Sequence, residues 1–266
     1  MNICLLIKTN SAYSYLWPII EDYIKDIKIY KVLAYNEVPE NKNLPKHFDS
    51  YIKYDQNLNF SRRLLQIIPE INSDYILFVP DVDIILNLNV SVLNTYVEIM
   101  KEHNINRVNT AVFDGSEQIH KNNYGLCNLN KALKQKSNHF VPIDCSPTIW
   151  KKTTWLDILN KFIDTSYNSW DLDEKLINYC KNNITCYGIQ YTKNLTLKYN
   201  RGLTMSVDLS FLHITTKSRF LKPFTSYHDY EKELMSIIKK YKLDVDKIGF
   251  WPAPGSCLHF RKLRLL

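Results

Sequence analysis

Two carboxylates spaced i and i+2, Asp81 and Asp83, stand where an apolar run breaks: Tyr75-Ile76-Leu77-Phe78-Val79-Pro80 precedes them and Ile84-Ile85-Leu86 follows. Carboxylate oxygens are hard donors suited to Mg²⁺ or Mn²⁺, which usually complete their shells with water and substrate phosphates. The innocent alternative is a strand-to-turn junction, where Asp is common because it caps turns. A second acidic group, Asp171, Asp173 and Glu174, follows Ser169-Trp170 at the start of a predicted helix. A helix N-terminus favours ionised acids without any chemistry, and Asp171 or Ser169 there can be a plain N-cap. Trp170 beside them is less explained by capping and offers a face on which a sugar ring can rest.

The elements that must carry these residues are legible as alternating apolar patterns. Ile3–Ile7 is a short continuous apolar run, as in a strand covered on both faces, and it ends in the polar Lys8-Thr9-Asn10-Ser11. Tyr15, Ile19, Tyr23 and Ile24 recur near helical spacing, and Ile27–Tyr35 reads as a second strand followed by a polar loop. Phe60–Ile71 reads as helix, Asp74–Val79 as a strand stopped by Pro80, Val90–His103 as helix and Arg107–Phe113 as strand. Such alternation predicts an α/β fold with a mostly parallel sheet flanked by helices. In that architecture ligands bind outside the carboxyl ends of the strands, which is where Asp81 and Asp83 fall. Beyond that come an apolar segment at Pro147–Trp150, helices near Trp155–Ile163 and Asp171–Cys180, and strands within Ile184–Tyr199. A basic helical extension follows, with Leu234, Ile237 and Ile238 on one face. The expected division is a catalytic domain at 1–215 and a C-terminal extension at 216–266, packed on or beside it.

With Asn59-Phe60-Ser61-Arg62-Arg63-Leu64-Leu65 and Ser73-Asp74-Tyr75-Ile76-Leu77-Phe78 upstream, the Asp81-Val82-Asp83 segment resembles the D-x-D motif of GT-A type glycosyltransferases. Ser146–Lys152 and Ser169–Leu176 resemble acceptor-side segments of small bacterial and giant-virus transferases. The resemblance implies a GT-A, Rossmann-like fold and transfer of a sugar from a UDP- or GDP-sugar to a hydroxyl of a carbohydrate-bearing acceptor. It implies Mn²⁺ or Mg²⁺ held by Asp81 and Asp83, with Asp83 the direct ligand and His213 added from the C-terminal side, unless that histidine is structural. Thr9, Asn10 and Ser11 would hold base and ribose, Arg62 or Arg63 would reach the donor, and Asp114 the sugar hydroxyls. Lys217 and Arg219 would face phosphates or solvent. For inverting transfer the general base would be Asp173, then Glu174, then Asp171, with Trp170 against the acceptor. Two rivals share the fold: a non-catalytic nucleotide-sugar or carbohydrate-binding module, and a sugar nucleotidyltransferase, whose Gly- and Arg-rich loop has no counterpart in Ile7–Tyr13.

Bulk properties agree with a soluble globule. Only six glycines occur, none clustered, which argues against a phosphate-binding glycine loop. The formal charge of +7 is scattered, so no nucleic-acid motif emerges. The segment His259–Leu266 mixes cations with apolar groups and suggests weak membrane-surface contact. Cys4, Cys127, Cys145, Cys180, Cys186 and Cys257 form no metal or disulfide spacing, and Met1–Lys8 runs straight into a strand without a leader pattern. Both point to a cytoplasmic protein with reduced thiols, soluble or peripheral to a membrane.

Overall fold

The computed structural model describes residues 3–113, 126–128, 147–190, 203–205, 209–213, 215–216, 219–221, 228–245 and 250–251. The first half builds β1 (Ile3–Lys8), α1 (Trp17–Ile24), β2 (Tyr30–Tyr35), β3 (Ser50–Lys53), α2 (Phe60–Ile67), β4 (Tyr75–Pro80), β5 (Asp83–Leu88) and α3 (Val90–Glu102). There follow β6 (Arg107–Phe113), β7 (Leu126–Asn128), β8 (Thr148–Lys151), α4 (Lys152–Lys161), α5 (Ser169–Asn183) and β9 (Cys186–Gln190). The remainder comprises β10 (Leu203–Met205), β11 (Leu209–His213), β12 (Thr215–Thr216), β13 (Arg219–Leu221), α6 (His228–Lys240) and β14 (Phe250–Trp251).

An eight-stranded sheet in the order β3-β2-β1-β4-β8-β6-β9-β7 forms the centre. β3, β2, β1 and β4 are parallel throughout, and β6 and β9 are parallel to each other. β8 is inserted antiparallel between β4 and β6, and β7 closes the edge antiparallel to β9. The architecture is thus the α/β sheet flanked by helices that the alternation predicts, with antiparallel strands in its second half.

Both faces of β1 are covered, as its unbroken apolar run requires. Ile3, Leu5 and Ile7 pack with residues of α1, α3, β5 and α6, while Cys4 and Leu6 pack with residues of α2, α4 and α5. Successive side chains of a strand alternate faces, so one strand feeds two cores. Helix α2 begins at Asn59, whose side chain accepts the Arg62 N–H, and ends in a tight turn at Ile68-Pro69-Glu70. Pro69 explains why the helix stops short of the predicted Ile71.

β5 leaves the main sheet and pairs antiparallel with β11, which pairs with β10. Chain past residue 215 contributes to a small sheet of β12, β13 and β14, so the 215/216 boundary falls inside β12. Helix α6 buries Leu234, Ile237 and Ile238 in the same core as β1 and α1. Asp22 of α1 receives Lys240 Nζ and the Tyr241 hydroxyl, each at 2.5 Å. Among the described residues no helix is long and apolar enough to cross a membrane. Cys4, Cys180 and Cys186 are buried and in no disulfide.

Candidate functional site

The carboxyl ends of β1 and β4 lie side by side, with Lys8 in register with Pro80. The chain leaving each strand therefore emerges at one point, and a short hydrogen-bond chain ties the two exits together. The Asp81 N–H donates to the Lys8 carbonyl (3.1 Å). Asp81 Oδ2 accepts from the Thr9 hydroxyl (2.9 Å) and from the Asn10 N–H (2.8 Å). The Thr9 hydroxyl accepts in turn from Trp17 Nε1–H (2.8 Å). Thr9 is fully buried and Asp81 nearly so. Both described bonds to Asp81 fall on Oδ2, which leaves Oδ1 for another partner.

Burial pushes the Asp81 carboxyl up to about 6. The Asn10 N–H, the Lys8 charge and the Thr9 hydroxyl oppose that rise, and the Asp83 charge adds to it. A buried carboxylate whose ionisation a second carboxylate makes costlier is a setting that a cation relieves. Asp83 opens β5 and is itself buried. Its backbone partner across the ladder is His213, the last residue of β11, so the histidine expected from far along the chain stands opposite the second Asp.

Lys8 and Tyr54, which sequence reasoning did not select, complete the rim of β1. Lys8 Nζ donates to the Tyr54 hydroxyl (3.3 Å) and lies over the Tyr54 ring (4.6 Å) and the Phe60 ring (5.5 Å). The Tyr54 hydroxyl donates to the Thr9 carbonyl (2.8 Å), and burial first, then the Asp81 charge, pushes it up to about 12. Tyr54 stays a neutral donor at any ordinary pH. A lysine closing an apolar strand was the available signal for Lys8; Tyr54 carried none.

Ser11 is fixed by Asn36, at the end of β2. The buried Asn36 amide accepts the Ser11 N–H (2.7 Å) and donates to Ser11 Oγ (3.1 Å) and to Gln56 Oε1 (2.7 Å). The Thr9-Asn10-Ser11 loop is thereby pinned from three sides without a glycine.

The two arginines separate. Arg62 faces outward and pairs with Asp164 (2.7 Å) at the exposed surface, away from the rim. Arg63 donates from Nε to the Leu58 carbonyl (2.6 Å), and its charge is felt by the Tyr54 hydroxyl.

Helix α5 begins at the same edge of the sheet, since the Phe60 N–H donates to the Ser166 carbonyl (3.0 Å) and Phe60 lies beneath Lys8. Its N-cap is Asn168, and Asp171 completes a capping box: its N–H donates to Asn168 Oδ1, while its carboxylate accepts the Tyr167 and Asn168 N–H groups. Asp171 is therefore occupied with ending the helix. Asp173 is half-buried, with Oδ1 shielded from solvent. Trp170 and Glu174 lie on the helix, but their side chains are outside the described residues, as is that of His213. Asp114, Lys217 and the segment 259–266 also lie outside them; Arg219 is described as backbone in β13.

A divalent cation fits the donor set of Asp81 and Asp83, two hard carboxylates at one strand exit with an oxygen of Asp81 still available. Among the described residues no group of three or more His, Cys, Asp or Glu forms a metal cluster. Two protein carboxylates are enough for a cation that takes the rest of its shell from phosphates and water.

No protein-family model matches the sequence, and no curated protein sequence does either. Solved structures similar in part do exist. The bifunctional IspDF from Campylobacter jejuni aligns with TM-score 0.44 and 10% identity over 73% of this chain and 51% of that one. S. aureus TarS aligns with TM-score 0.43 and 11% identity over 72% of this chain and 37% of that one. CMP:2-keto-3-deoxy-manno-octonic acid synthetase, complexed with CTP, aligns with TM-score 0.43 and 10% identity over 72% of this chain and 90% of that one. This chain thus spans about half of IspDF and little more than a third of TarS. At such identities nothing about substrate passes from these proteins to this chain.

Proposed function

We propose that this chain transfers a sugar from a nucleotide-diphosphate sugar to a hydroxyl of a carbohydrate-bearing acceptor, with Mn²⁺ or Mg²⁺ bound at Asp81 and Asp83. The observation that carries the reading is the junction of the β1 and β4 exits. There Asp81 is oriented through Oδ2 by Thr9 and Asn10 and keeps Oδ1 available, with Asp83 two residues on and His213 across the ladder. A cation bound there would neutralise the charge that develops on a departing diphosphate.

In this reading the chain's own residues do the following. Thr9, Asn10 and the Asn36-pinned Ser11 present a rigid edge to the nucleoside. Lys8 and Arg63 supply positive charge beside the diphosphate. Asp173, or Glu174 one residue on, takes the proton from the acceptor hydroxyl in an inverting transfer, with Trp170 supporting the acceptor ring. Asp171 keeps the helix start in place, and Arg62 stays outside the site. A histidine at 213 would add a ligand at the position its backbone register indicates.

The test is calorimetric titration of UDP, GDP and their common sugars, with Mn²⁺ and with EDTA, on the wild type and on Asp83→Ala. Binding that needs the metal, selects one nucleotide and vanishes in the variant supports the reading and names the donor class. A folded wild type that binds none of them removes it.

A further inference from the structure

A cavity lies apart from that junction, on the outer side of α1. It measures about 570 Å³ and lies between α1, the loop joining β2 to β3, and Tyr241 after α6. That volume suits a monosaccharide-sized or somewhat larger ligand. Its loop wall is built and anchored. Leu44 packs against the main core, the Pro45 carbonyl accepts the Tyr51 hydroxyl (2.9 Å), and the Lys46 N–H donates to Glu21 Oε2 (3.0 Å). Two non-glycine residues of this one loop, Asn41 (φ 63°) and His47 (φ 67°), hold left-handed backbone and both line the cavity. Asparagine tolerates that region, histidine less so, and strain of this kind gathers at ligand clamps.

The chemistry of the lining is selective once internal pairs are set aside. The Glu21 carboxylate is used by the loop, and Asp22 receives Lys25 (2.6 Å), Lys240 and Tyr241. Lys42 and His47 remain with no described side-chain partner, as do the Asn41 and Asn43 amides. Pro18 and Tyr241 supply apolar faces, backed by the buried Trp17 and Pro45. The groups left over are thus a lysine cation, an imidazole, neutral amides and ring faces. We infer that this cavity is a second ligand site, for a sugar ring bearing one acidic group, either a phosphate ester or a carboxylate. Amides pair with hydroxyls, the Pro18 and Tyr241 faces meet the ring's C–H surface, and Lys42 with the His47 imidazole meets the anion. The buried Trp17 backs this cavity and donates to Thr9, so an occupant lies next to the hydrogen-bond chain that orients Asp81. The inference stands without the proposed transfer.

The experiment is calorimetry on the full chain in EDTA, with glucose 6-phosphate, glucuronate, glucose and inorganic phosphate as separate probes. One of the two acidic sugars binds measurably, which distinguishes ester from carboxylate, while glucose and phosphate bind at least about tenfold more weakly. Lys42→Ala and His47→Gly each weaken that binding about tenfold, and Asp83→Ala leaves it unchanged. His47→Gly keeps or raises Tm, because glycine takes φ 67° without strain, so lost binding there is not lost folding. The inference is overturned if neither acidic sugar binds, if glucose or phosphate binds as well, if both loop variants bind like wild type, or if Asp83→Ala abolishes binding.

Discussion

Asp81 shows how a single side chain is balanced between folding and binding. An unfolded aspartate titrates near about 3.9, whereas burial holds this one up to about 6. Between those values the folded chain retains a proton that the unfolded chain has released, so stability is greatest below the window and is lost as pH rises through it. The two-unit difference corresponds to about 3 kcal/mol. In EDTA, urea midpoints at acid and neutral pH should reveal that decline in the wild type, and Asp81→Asn should flatten it. An unchanged slope in the variant would mean that another group titrates. Thr9 makes a sharper demand, because its hydroxyl both accepts from Trp17 and donates to Asp81. Thr9→Val leaves the buried indole N–H without its acceptor and should cost about 1–3 kcal/mol in chemical denaturation. It should also loosen Asp81, weakening Mn²⁺ binding by titration. The carboxylate pair was readable from its spacing and the strand before it. The chain Trp17–Thr9–Asp81 was not, because it joins residues 72 apart through side-chain rotamers.

At the scale of elements, the apolar runs of β1 and β4 and the spacing of α3 were legible because each is covered on a face set by its own period. β3 (SYIK) was read as loop, since it is a half-exposed edge strand whose pairing with β2 comes from register rather than from its own residues. β8 was legible only as an apolar segment. Its insertion antiparallel between β4 and β6 depends on chain some 70 residues upstream. Trp150 on that strand stacks on Trp155 of α4 (5.6 Å), and Trp155 meets Phe78 of β4 edge-on (5.1 Å), which fixes the insertion by packing. Helix α5 shows how an acidic cluster divides into roles. Asn168→Ala removes the N-cap and should cost about 1 kcal/mol of stability in a denaturant titration. Under the proposed function it should also lower turnover by shifting Asp173, whereas Asp171→Ala should show the stability loss as its main effect. Equal loss of turnover in Asp171→Ala, with stability unchanged, would return Asp171 to the chemistry.

For the whole molecule the question is whether the chain beyond residue 215 is an appendage or part of one cooperative unit. Composition suggested an extension because the segment is basic, but charge reports the solvent face and says nothing of the buried one. Leu234 and Ile237 are fully buried with Ile19, Ile20 and Ile24 in the core that also holds Leu5 and Leu77. The Asp22–Lys240 pair holds Asp22 well below the usual carboxylate range, chiefly through Lys240. It is largely solvent-exposed, however, so it orients α6 more than it stabilises it. The apolar contacts must therefore do the coupling. Leu234→Ala should cost about 2–5 kcal/mol and move a single unfolding transition as a whole, with far-UV circular dichroism and tryptophan fluorescence remaining coincident. Asp22→Asn should shift it much less. A separate early transition in Leu234→Ala, with the fluorescence of the Trp150–Trp155 cluster unchanged, would make α6 an independent unit. The cavity walled by Tyr241 would then open whenever that unit detached, and occupancy of that cavity would in turn hold α6 against α1.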